Sequence, residues 1–141
     1  MRTASWVLLA ILGSFILLAS LGSTSVAYHT SSTDQRVGGV TLKDVVAGRD
    51  EVETAMRGQR GTAAAFAAGF ATLFLFVVVG PYRRGDAWSW WAILAGTAAY
   101  ALLSMVRVVA LGTWRGAAQA GIALAVVVVA LLLDAGRLKS R

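Results

Sequence analysis

A chain of 141 residues that is 57% hydrophobic and only 14% charged carries more apolar surface than a soluble core of that size needs, so it reads as a membrane protein. It has no cysteine, which excludes disulfides, thiol redox chemistry and Cys-ligated metals. The formal charge of +6 comes from 13 basic and 7 acidic residues. The basic residues lie scattered between apolar segments, which argues against nucleic-acid binding and for topogenic arginines facing anionic headgroups.

Four apolar runs contain no acidic residue: Trp6 to Leu21, Thr62 to Val79, Ala87 to Val106 and Ala117 to Leu133. A membrane-spanning helix needs roughly 20 residues, a length the runs reach with their Ser, Thr and Gly flanks. The stretches "LFLFVVV" and "LAVVVVALLL" are continuously apolar without period-two alternation, which predicts helices over barrel strands. The expected fold is all-α, a single integral membrane four-helix bundle over residues 1–141. Its helices are placed at about 5–23, 61–80, 87–109 and 116–134, with an extracytoplasmic loop of about 38 residues between the first two.

The first run has a competing reading as a signal peptide. Arg2 supplies a basic start, and "SVA" at Ser25 to Ala27 places small residues before Tyr28. Against this, the apolar stretch from Trp6 runs past the roughly 7 to 15 residues usual for such a segment, so a retained helix is expected.

Residues 24–60 form the polar loop. Its first half is rich in Ser, Thr and Gly, whereas "TLKDVVAGRDEVETAMRGQR" predicts a short amphipathic helix at about 41–57, or two pieces bent at Gly48. Thr41 and Asp44 make a capping-box-like start. Asp44, Asp50, Glu51 and Glu53 lie beside Lys43, Arg49 and Arg57, the pattern of an ion-paired, solvated face. His29 is the one histidine, and a Ser25, His29, Asp34 triad has no nucleophile-elbow context. No catalytic residue, cofactor or metal site is nominated.

"PYRRGDAWSWWA", Pro81 to Ala92, reads as the end of the second helix, a polar turn and the start of the third at headgroup depth. All five tryptophans (Trp6, Trp88, Trp90, Trp91 and Trp114) fit an interfacial belt. Arg83, Arg84, Trp88 and Trp91 are candidate lipid headgroup contacts. From Arg60 to about Ala95 the chain resembles uncharacterised small bacterial four-helix membrane proteins. That resemblance implies a four-helix bacterial membrane protein and carries no activity and no site residue.

On the third helix Thr97, Tyr100, Ser104 and Arg107 recur at spacings of three, four and three, and so share one face that Trp90 and Ile93 extend. Polar groups in hydrocarbon need partners, so this face is expected to point inward and meet Gln119 of the fourth helix or Thr72 of the second. It either knits the helices together or lines a pocket for a lipid-like or small amphipathic molecule. Ala65 with Gly69, and Ala117, Gly121 and Ala125, are small residues four apart that allow close helix packing, within one chain or against a second copy.

Orientation follows the flanks. Arg2 precedes the first helix and no basic residue follows it until Arg36; Arg115 precedes the fourth, and Arg137, Lys139 and Arg141 follow it. Both helices put the termini and the Arg83, Arg84 turn in the cytoplasm and residues 24–60 outside the cell membrane. Two function classes stay open. One is a non-catalytic membrane component that stabilises a partner, senses or organises lipid, with anionic headgroups, a second copy or another membrane protein as partners. The other is a carrier or pocket protein. Proton-coupled exporters similar to the small multidrug resistance family need a carboxylate inside a span; Asp134 lies just after the fourth run.

Overall fold

The structure is a computed structural model and describes residues 2–29, 36–37, 40–46, 48–112, 114 and 116–139. In chain order the elements are α1 (Arg2–His29), β1 (Arg36–Val37), β2 (Val40–Thr41), α2 (Leu42–Val46), α3 (Asp50–Val77), a π-helical turn (Val78–Tyr82), α4 (Ala87–Leu111), α5 (Ala117–Leu133) and a closing 3-10 turn (Ala135–Lys139). By length and composition three helices can cross a membrane: Thr3–His29, Asp50–Tyr82 and Ala87–Ala110. The fourth apolar helix, Ala117–Leu133, has 17 residues. The chain divides into two compact units, Met1–Ser14 with Thr72–Arg141, and Phe15–Ala71.

In the Phe15–Ala71 unit, the helices cut deep into the segment read above as a loop. Helix α1 runs on to His29 because its hydroxyls bond back to the preceding turn instead of breaking it: Ser20 Oγ to the Ile16 carbonyl at 2.7 Å and Thr24 Oγ1 to that of Ser20 at 3.0 Å. The carbonyls left over at its end are bound by Arg57, from Nε to Ala27 at 2.9 Å and from a terminal nitrogen to Tyr28 at 2.8 Å. The small residues Ser25 to Ala27 are therefore helical, with Ala27 fully buried. The polar connection contains a two-stranded antiparallel ladder in which Arg36 pairs with Thr41 and Val37 with Val40.

The chain turns between α2 and α3 at Gly48, whose φ of +77° suits glycine. The Asp44 N–H reaches Thr41 Oγ1 at 3.3 Å and the Thr41 hydroxyl donates to the Asp44 carboxylate, as the capping pattern expects. The Arg49 side chain binds the last carbonyls of α2, those of Val45 and Val46. The second piece of the amphipathic segment is no separate helix. It is the beginning of α3, where Asp50, Glu51 and Glu53 occupy the first turn and favour a helix start. Glu53 pairs with Arg57 at 3.6 Å. A Cβ on Gly61 would overlap the Tyr28 ring, so glycine is what lets α1 and α3 meet there.

In the other unit, Pro81 does not close the second helix. Lacking an N–H and crowding the preceding turn, it is absorbed in a wider π turn: the Arg83 N–H reaches Val78 O, five residues back. The helical path ends at Gly85, φ +105°. Helix α4 starts after Asp86 and stops at Gly112, left-handed at φ +64° with its N–H on Val108 O. Helix α5 packs back along α4. Trp90 in the second turn of α4 bonds the carbonyl of Leu131 near the end of α5, and at the other end a Cβ on Gly121 would touch Met105.

Candidate functional site

In the unit Met1–Ser14 with Thr72–Arg141, the buried polar side chains of Ser5, Tyr82, Ser89 and Asp134 lie at four helix ends. The Asp134 N–H bonds Leu131 O, which leaves Ala130 O without its usual donor four residues on. Ser5 at the start of α1 fills the gap: its hydroxyl donates to Ala130 O at 2.7 Å. Having spent its proton there, Ser5 Oγ accepts from the Tyr82 hydroxyl at 2.6 Å. Trp90 Nε1 donates to Leu131 O at 3.1 Å. Ser5, Tyr82 and Ser89 are fully buried and Asp134 is 3% exposed. A relay from Tyr82 through Ser5 to a helix carbonyl thus ties α1, the π turn and α5 together in a setting where an unpaired polar group is costly.

One residue further along both segments the same pairing faces outward. The Arg83 guanidinium carbon stands 4.9 Å from the centroid of the Trp6 ring, within cation–π range. Ser5 and Trp6 therefore receive Tyr82 and Arg83 as neighbours on neighbours. Arg84, Trp88 and Trp91 are exposed beside them. Of the expected headgroup contacts, all four lie on the surface of this turn and the first two turns of α4. Trp90 faces inward instead. It is 9% exposed against 56% for Trp91, because its indole is turned onto α5, with the Trp91 ring edge-on to it at 4.8 Å.

The polar stripe of α4 splits. Thr97 is 4% exposed and Ser104 half-buried, but Tyr100 is 45% exposed, and Arg107 and Gln119 are exposed, as is Thr72. The reason is rotational. Residues Trp90, Ile93, Thr97 and Ala101 form the packed face, and at about 100° per residue Tyr100 and Arg107 fall about 60° and 80° to one side of Thr97. Thr97 Oγ1 is buried with no hydrogen-bond partner among the described residues.

Of the small residues spaced four apart, Ala117 is buried and Gly121 half-buried against Met105 of α4. Ala65, Gly69 and Ala125 are exposed, while Gly61, Ala64 and Ala71 of α3 and Ala117, Ala120 and Ala130 of α5 are buried. Spacings of three and seven keep Gly61, Ala64 and Ala71 on one side of α3, where strict fours drift off it. Of the residues weighed for a triad, His29 Nδ1 lies 3.2 Å from the Ser25 carbonyl, and Asp34 is outside the described residues, as are Arg115 and Arg141. Sequence reasoning missed Ser5 and Tyr82; their one visible signal was polarity at the end of an apolar run.

Comparison with protein-family models, curated proteins and solved structures finds no match to this chain.

Proposed function

We propose that this is a four-crossing integral membrane protein with a non-catalytic role, organising lipid at its surface, with both termini and the Arg83, Arg84 turn on the cytoplasmic side. The observation that carries the reading is the junction at Ser5. The start of α1, the end of the α3 path, the start of α4 and the end of α5 meet there through side-chain bonds, as up-and-down helices do when each crosses the same slab. Helix α5 is about 26 Å long at 1.5 Å per residue, close to the roughly 30 Å of a hydrocarbon core. It reaches the level of the α4 start.

The non-catalytic role rests on how the polar groups are used. Ser5 and Trp90 are committed to helix carbonyls and Tyr82 to the Ser5 hydroxyl, and large apolar side chains such as Phe66, Phe76, Leu103 and Val109 face outward, towards lipid or a partner membrane protein. Co-purification from native membranes, with mass spectrometry of bound lipids and proteins, tests this. Enrichment of lipid over the surrounding membrane supports the role, and turnover of a bound lipid overturns it.

A pocket for a lipid-like or amphipathic molecule has one observation in its favour, the unpartnered hydroxyl of Thr97. A ligand acceptor there would satisfy it.

A further inference from the structure

We infer that Arg83 and Arg84 hold the phosphate of an anionic phospholipid headgroup, and that Trp6 is a positioning residue for this site. The inference rests on the reading that this turn lies at headgroup depth.

Both guanidinium groups are exposed, and among the described residues neither has a hydrogen-bond or ion-pair partner; Arg83 has only the Trp6 ring at 4.9 Å. A guanidinium lying over an indole spends its face on the ring and leaves its edge, with its fork of N–H donors, for a planar or tetrahedral oxyanion. The pose is held from both sides. Tyr82, next to Arg83, is locked by its bond to Ser5, next to Trp6, and the π turn delivers both residues to the start of α1. Arg83 is therefore placed before any ligand arrives, which lowers the ordering cost of binding.

The surroundings fit a lipid better than free phosphate. Phe76 and Val79 of the α3 path are exposed on its last turns, and Trp88 and Trp91 on the first turns of α4. Acyl chains have apolar surface to follow and the headgroup has indoles beside it. Asp86, the acid in the turn, is the group that opposes an anion.

The test uses the full chain in mixed micelles holding equal phosphatidylglycerol and phosphatidylcholine, with bound lipid read by native mass spectrometry and helicity by circular dichroism. The parent should retain phosphatidylglycerol preferentially. Arg83→Gln and Arg84→Gln should each lower that preference about fivefold. Trp6→Leu, which keeps both arginines, should lower it about two- to fivefold, and Trp6→Phe by less. Lys43→Gln, on an exposed residue of α2 in the other unit, should change nothing.

Unchanged preference in the arginine variants overturns the site. Loss there with none in Trp6→Leu overturns the role of Trp6. If Trp6→Leu loses helicity, Trp6→Phe decides the same question by whether it falls between parent and Arg83→Gln. Displacement of the lipid by equimolar inorganic phosphate overturns the lipid assignment in favour of a free anion. A chain released from membranes by alkaline carbonate would instead bring down the membrane reading itself.

Discussion

Ser5 and Tyr82 stand 77 positions apart in the chain and 2.6 Å apart at their hydroxyls, and the bond between them is half of a relay that ends on the carbonyl of Ala130. The two halves differ in weight. Tyr82→Phe removes one donor and leaves Ser5 bonded to α5, so it should cost about 0.5–1 kcal/mol. Ser5→Ala removes two bonds, to the Tyr82 hydroxyl and to the Ala130 carbonyl, and should cost about 1–3 kcal/mol. Unfolding titrations in mixed micelles separate the two; equal costs would mean that the relay does not run through Ser5.

Trp90 and Trp91 are adjacent in sequence and opposite in environment. Trp90→Phe loses the bond to Leu131 O and some packing, and should destabilise by about 1–2 kcal/mol. Trp91→Phe should fall within about 0.5 kcal/mol of the parent. An aqueous quencher provides an independent check, since deleting Trp91 should remove more quenchable fluorescence than deleting Trp90.

At Gly61 the constraint is steric. Gly61→Ala drives a methyl into the end of the Tyr28 ring, which is exposed and can swing aside, and should cost up to about 1 kcal/mol. Tyr28→Ser in the same chain should recover most of it, because the obstacle is the ring and not the backbone. A double-mutant cycle with no coupling would show that the two helices do not meet there.

Thr97 carries the pocket reading. If its hydroxyl is merely buried without a partner, the near-isosteric Thr97→Val should be neutral or stabilise by up to about 1 kcal/mol. Neither Tyr100→Phe nor Arg107→Gln, on exposed side chains, should move stability by more than about 0.5 kcal/mol. A co-purified molecule lost only in Thr97→Val would make this position a ligand contact.

The apolar runs placed the helices because lipid leaves a continuous hydrophobic segment no other satisfied backbone. Their ends were harder to read. Thr24 looks like a loop residue until its bond to the Ser20 carbonyl is seen, and Pro81 looks like a stop until the π turn takes it up. The exposure of Arg83, Arg84, Trp88 and Trp91 was legible because charged groups and polar turns stay at a surface. The inner face of α4 was not, because residues spaced three, four and three apart share a general side of a helix, and only packing against α5 decides that Thr97 goes in and Tyr100 stays out. The Ser5–Tyr82 pair lay beyond reach for a plainer reason: no local pattern links residues on two different helices.

The central claim, four crossings with both termini on one side, turns on whether α5 crosses at 17 residues. A topology reporter fused after Arg141 measures this against insertions near Asp86 and near Asp34. The account predicts that the Arg141 fusion and the Asp86 insertion both read cytoplasmic and the Asp34 insertion external. An Arg141 fusion reading on the side opposite to Asp86 would leave three crossings and contradict it.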